Sequence, residues 1–179
     1  MGESTERIVD GNGLRIAIVY SEYNGSIVSE LLTGAKEGLE KCNVLEKDIL
    51  CASVPGAFEI PLIIKRLCRD SVSVQDPGNI DIDDLIDKFD GKISANPNKI
   101  NAIIALGCII RGETSHYDLI CNEVTRAILD ISLNFDIPIL HGILTTENLE
   151  QAKERSGDGM NNKGYECALS AVQMGIISS

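Results

Sequence analysis

Two stretches of this chain, Leu14-Arg15-Ile16-Ala17-Ile18-Val19-Tyr20 and Ile100-Asn101-Ala102-Ile103-Ile104-Ala105-Leu106-Gly107, are almost unbroken in apolar and β-branched residues. A strand with one wetted face alternates polar with apolar residues, whereas a strand apolar throughout must be covered on both faces. Such strands need helices above and below the sheet, and the chain carries helical patterns between them. Residues 27–42 place Ile27, Leu31, Ala35 and Leu39 on one helical face at steps of four. Residues 48–53 predict a short strand closed by Val54-Pro55-Gly56, and Phe58 to Leu67 a helix with Pro61 in its first turn, where a missing N–H costs little. A long helix over 115–134 should turn Leu119, Ile120, Val124, Ala127, Ile128 and Ile131 inward. A fourth strand over 138–144 precedes helices over 147–155 and 163–176, which Ser156-Gly157-Asp158-Gly159 separates. This alternation predicts an α/β fold, a doubly wound four-stranded parallel sheet with helices on both faces and right-handed crossovers.

A chain of 179 residues suits one domain. Residues 14–179 are expected to form it, with 1–13 as an N-terminal arm. The stretch 70–99 breaks the rhythm: Asp76-Pro77-Gly78, Asp81-Ile82-Asp83-Asp84 and Asn96-Pro97-Asn98 mark a surface insertion, with a short helix at 82–89. The net charge of −11 argues against nucleic-acid binding, which needs clustered cations. It leaves room for a small phosphorylated substrate, since one arginine and one helix terminus can hold one phosphate. No apolar run approaches the roughly 20 residues of a membrane span, and Met1-Gly2-Glu3-Ser4 does not open like a signal peptide. Cys42, Cys51, Cys68, Cys108, Cys121 and Cys167 are scattered without a C-x-x-C pair, and only two histidines are present. Reduced thiols in a metal-free, cytoplasmic protein are expected.

In a doubly wound sheet, ligands bind beyond the carboxyl ends of the strands. The loops there present Tyr23-Asn24, then Ala57-Phe58-Glu59, then Arg111-Gly112-Glu113-Thr114-Ser115-His116, then Leu144-Thr145-Thr146. Gly112, Thr114 and Ser115 precede a long helix, so free N–H groups and small hydroxyls would face an anion there. His116 falls in that helix's first turn, where the positive end disfavours imidazolium and keeps the ring available as a base. The plainer alternative is a capped turn with His116 as a solvated passenger. Arg155 by default complements a helix C-terminus and Glu59 a helix N-terminus. His141, inside the fourth strand, reads by default as a structural histidine. Gly11, Gly13 and Gly25 form neither G-x-G-x-x-G nor a Walker loop, and no G-x-S-x-G elbow exists.

Taken together, Val54-Pro55-Gly56-Ala57-Phe58-Glu59-Ile60-Pro61, Gly107 through Asp118, Gly142-Ile143-Leu144-Thr145-Thr146-Glu147 with Glu150-Gln151-Ala152, and Glu154-Arg155-Ser156-Gly157 through Asn162-Lys163-Gly164 resemble the lumazine synthase family. The likeness runs from about residue 11 to 176 apart from 70–99. It implies a flavodoxin-like fold and a cofactor-free condensation of 5-amino-6-(D-ribitylamino)uracil with 3,4-dihydroxy-2-butanone 4-phosphate in riboflavin biosynthesis. It also implies a homopentamer, often packed further into a 60-subunit icosahedral shell, with riboflavin synthase as a candidate partner.

By the same resemblance His116 matches the proton-transfer histidine, and Arg155, Glu113 and Thr114 match the phosphate site. Tyr23, with Asn24 beside it, stands where the family stacks an aromatic on the pyrimidine. Ala57, Phe58 and Glu59 would hold the ribityl chain and ring edge, with Cys108, Ile109 and Ile110 opposite. Lys163 aligns near the same pocket. His141 stands where many relatives place a phenylalanine contributed to the neighbouring subunit's site. The rival from another class is a non-catalytic flavin- or lumazine-binding cage; the combination of His116, Arg155, Lys163 and Glu59 speaks against it. A flavodoxin-like electron carrier is disfavoured because the first loop lacks a Ser/Thr-rich phosphate cradle.

Overall fold

The computed structural model describes residues 8–72 and 99–178. The chain runs β1 (Ile16–Ser21), α1 (Gly25–Lys41), β2 (Ile49–Val54), α2 (Ile60–Val72), β3 (Ala102–Ile110), α3 (His116–Phe135), β4 (Ile139–Thr146), α4 (Leu149–Arg155) and α5 (Lys163–Ile177). Single 3-10 turns lie at Glu46–Asp48, Ala57–Glu59 and Gly159–Asn161. The four strands are all parallel in the order β2-β1-β3-β4.

Both faces of the sheet are covered, as the apolar runs require. On one face Ile16, Ile18, Ile104 and Leu106 meet Leu31 and Leu39 of α1 and Leu169 and Val172 of α5. On the other, Ala17, Val19, Ile103 and Ala105 meet Ile60 and Ile64 of α2 and Val124, Ile128 and Ile131 of α3. Each such isoleucine or leucine, fully removed from water, contributes about 1.5–3 kcal/mol before the entropy of ordering it is charged. α1 is preceded by Asn24, whose left-handed backbone (φ 56°) turns the chain out of β1. Pro61 is the second residue of α2, at the permissive first turn.

Several boundaries differ from the expectations. β3 continues three residues past Gly107 because its ladder with β4 extends to Ile110↔Thr146. Gly107 is a close approach rather than a stop: a Cβ there would lie 3.2 Å from the Ser21 hydroxyl and 3.4 Å from Ile143. α2 runs five residues beyond Leu67, so 70–72 belong to a helix rather than to the insertion; Ser71 is buried there and accepts from the Ile100 N–H at 2.8 Å. Leu119 faces outward, 62% exposed, against the expected inward orientation. The helix at 82–89 and most of the insertion lie outside the described residues, as do residues 1–7 of the arm.

Candidate active site

The order β2-β1-β3-β4 reverses between β1 and β3, and a doubly wound sheet opens its crevice at that reversal. There the loops after β1, β2 and β3 enclose a cleft of about 360 Å3. Tyr23 comes from the first loop, Ala57, Phe58 and Glu59 from the second, and Cys108, Ile109 and Ile110 from the end of β3. Thr114 and His116 come from the start of α3. Nine of the residues singled out from the sequence therefore share one cavity. Gly56, Gly112, Tyr117 and Ile120 complete the wall. Tyr117 and Ile120 were legible as neighbours of His116, one residue and one helical turn away. A larger hollow of about 710 Å3 at the β2 edge is lined by Lys36, Glu40, Asn43 to Glu46, Ile49 and Cys51, none of them a candidate site residue; size does not identify the site.

Tyr23 and Phe58 are 72% and 59% exposed, so their side chains stand at the cleft rim. Beneath them the wall is apolar: Ala57 and Cys108 are buried, and burial pushes the Cys108 thiol up to about 11, so it stays protonated near neutrality. Asn24 does not line the cleft. Its Nδ2 donates to the Cys108 carbonyl at 2.9 Å, tying the first loop to the end of β3. Glu113 does not line it either, although both its neighbours do.

The turn before α3 is held by Arg111. Its Nε donates to Glu147 Oε2 at 2.7 Å, and its two Nη atoms grip Asp118 at 2.9 and 3.1 Å. The guanidinium lies 4.1 Å from the centre of the Tyr117 ring, and the Arg111 N–H donates to the Thr146 carbonyl at 2.8 Å. Paired forks of this kind are geometrically specific, and here one fastens the ends of β3 and β4 to the first turn of α3. The hydrogen bond from Arg111 holds the Asp118 carboxyl below its ordinary range. Ser115 makes no side-chain cap; Thr114 Oγ1 accepts from the His116 N–H at a long 3.4 Å. The first turn of α3 thus meets the cleft through Thr114 and an exposed His116, and a helix N-terminus beside a histidine is suited to an anion and a proton carrier together.

Arg155, His141 and Lys163 do not line this cleft. Arg155 is the exposed last residue of α4. Lys163 opens α5 with its Nζ 2.8 Å from Glu166 Oε1. His141 is half-buried on β4, its Nε2 3.2 Å from Thr125 Oγ1, and burial lowers its pKa, with Lys163 adding to the depression. Among the described residues no cluster of three His, Cys, Asp or Glu could hold a metal, and no helix is long and apolar enough to cross a membrane. Cys42, Cys68, Cys108 and Cys167 are buried, Cys121 is half-buried and Cys51 exposed; all are free thiols.

The family model for 6,7-dimethyl-8-ribityllumazine synthase matches residues 13–82 and 77–178. The chain belongs to that family, and its α/β architecture with an all-parallel four-stranded sheet is the fold the family implies.

Proposed function

We propose that this protein condenses 5-amino-6-(D-ribitylamino)uracil with 3,4-dihydroxy-2-butanone 4-phosphate, as a transferase of riboflavin biosynthesis, to give 6,7-dimethyl-8-ribityllumazine. The observation that carries the reading is the convergence of Tyr23, Phe58, Glu59, Thr114 and His116 on one cleft at the β1/β3 reversal, in a chain of this family.

In this reading the pyrimidine stacks on Tyr23 while Ala57, Phe58 and Glu59 hold the ribityl chain and ring edge against Cys108, Ile109 and Ile110. The pyrimidine 5-amine attacks the ketone carbonyl and expels one water to form an imine. His116 moves protons for the imine and for the elimination that releases inorganic phosphate. The second amine then attacks the resulting carbonyl, and loss of a second water closes the ring. No electrons are gained or lost overall, so the chemistry calls for no redox cofactor. The substrates are intrinsically reactive, and most of the acceleration comes from holding them in near-attack geometry.

The backbone around Glu113 and Thr114 receives the phosphate together with Arg155. Because Arg155, His141 and Lys163 lie off the cleft of their own chain, they serve the cleft of a neighbouring subunit in a cytoplasmic homopentamer. Residues 14–179 act as the domain and 1–13 as an arm toward a neighbour. Larger icosahedral assembly and docking of riboflavin synthase are further expectations of the same reading. The test is absorbance at the lumazine band with both substrates and purified protein, against the uncatalysed background. Catalysis that falls sharply in Arg155→Ala supports the reading. A folded oligomer that binds the lumazine but gives only the background rate overturns it in favour of a non-catalytic binder.

A further inference from the structure

We infer that Asn162 is a positioning residue that holds Arg155 and Lys163 in fixed relation and thereby sets the affinity for the phosphorylated ketone; the inference rests on the phosphate role proposed for Arg155. Asn162 is 3% exposed, one of few polar side chains so deeply buried among the described residues. Its amide uses its full hydrogen-bonding capacity of two donors and two acceptor sites. Nδ2 donates to the Glu30 carbonyl at 2.8 Å and to the Ser156 carbonyl at 3.3 Å. Oδ1 accepts from the Gly164 and Tyr165 N–H groups at 2.8 and 3.2 Å. One side chain therefore joins three places: α1, the residue directly after Arg155, and the first turn of α5, which Lys163 opens.

The surroundings are built for that amide. Ser156 and Asn162 form an antiparallel bridge that closes the loop between α4 and α5. A Cβ at Gly34 of α1 would overlap the Asn162 amide, and a Cβ at Gly164 would overlap the Leu31 carbonyl. Capping α5 does not need this arrangement. A serine would supply the acceptor for the helix N–H groups, but its single short donor could not reach two carbonyls on different elements. The two donor bonds serve the loop, not the helix. They anchor it to α1, the rigid element that begins beside Tyr23 and Asn24.

The test separates positioning from stability in the assembled enzyme. Asn162→Asp keeps the acceptor for Gly164 and Tyr165 but replaces the two donors with an oxygen facing two carbonyls. Gly34→Ala displaces the amide from outside and leaves Asn162 itself intact, so it decides the matter should Asn162→Asp not fold. Both variants should raise KM for the butanone phosphate, and the inhibition constant of inorganic phosphate, by about tenfold. KM for the pyrimidine should stay near the wild-type value. A lower melting temperature with both KM values and phosphate inhibition unchanged overturns the inference. Arg155→Ala serves as the control. If it weakens phosphate inhibition while the other two variants do not, Asn162 has no positioning role. If Arg155→Ala itself leaves phosphate inhibition unchanged, the phosphate reading of Arg155 fails, and the inference falls with it.

Discussion

His116 opens α3 with an exposed ring at the cleft, so its contribution depends on its reach to the substrate. Replacing it with alanine should slow turnover by about 10²-fold without abolishing it, because positioned acid–base groups typically contribute at that level and substrate positioning survives. On the proposed reading Arg155→Ala should be worse, since the phosphate it would neutralise is also the leaving group. Steady-state kinetics on both variants check the ranking, and an unimpaired Arg155 variant would reverse it. His141 carries a separate pH signature. Burial disfavours its imidazolium, so the folded-state pKa lies below the ordinary value of about 6.5. Above that value the ring is neutral in both states and costs nothing. As pH falls below it, the unfolded chain takes the proton first, and stability is lost until pH passes the folded value. Wild type should therefore lose more denaturation midpoint between neutral and mildly acidic pH than His141→Gln does. Parallel curves for the two proteins would show that the ring does not titrate differently on folding. Single residues were legible where a motif fixed their loop, as with Thr114 and His116. Asn24 was not, because its bond to the Cys108 carbonyl spans 84 positions of sequence and leaves no local trace.

At the level of elements, every strand and helix expected in the described residues is present, because an apolar run of strand length and a four-step apolar face are each local properties. Their ends depend on neighbours. β3 was expected to stop at Gly107, yet pairing with β4 carries it to Ile110, and it is this extension that delivers Ile109 and Ile110 to the cleft. Leu119 was placed inward with Ile120 and Val124, but at 100° per residue it sits about 140° from Val124 around the helix, on the outer side. Gly142, in the middle of β4, shows what a small residue does for packing. A Cβ there would meet Leu106 Cδ2 at 2.7 Å, the Ala105 carbonyl at 3.0 Å and the Cys167 sulfur at 3.2 Å. The carbonyl belongs to the adjacent strand and cannot swing away. Gly142→Ala should therefore destabilise the fold by about 1–3 kcal/mol through overpacking, read as a lower urea midpoint at unchanged m-value.

At the scale of the whole molecule, several large apolar side chains stand exposed among the described residues. Leu119, Leu129 and Leu133 are 62%, 57% and 75% exposed on the outer side of α3, interspersed with the exposed Arg126 and its ion pairs to Glu123 and Asp130, opposite the Val124, Ile128 and Ile131 face that packs on the sheet. On the proposed reading, the placement of the site residues calls for a second copy of the chain. The cleft holds His116, while Arg155, His141 and Lys163 lie outside it on the same chain. If the neighbour supplies them, a defect in the cleft and a defect in the donated arm belong to different subunits at each site. Chains bearing His116→Ala and chains bearing Arg155→Ala, co-folded in equal amounts, should then form some sites with an intact His116 from one chain and an intact Arg155 from the next. Random mixing around a ring gives intact sites roughly one quarter of the time, so activity should rise well above the mean of the two pure variants, toward about 25% of wild type. Activity equal to that mean would instead require each chain to carry its complete site, with Arg155 reaching its own cleft by a rearrangement of α4. Co-purification of an untagged chain with an affinity-tagged one from the mixture, run beside the assay, distinguishes that outcome from a failure of the two variants to assemble together.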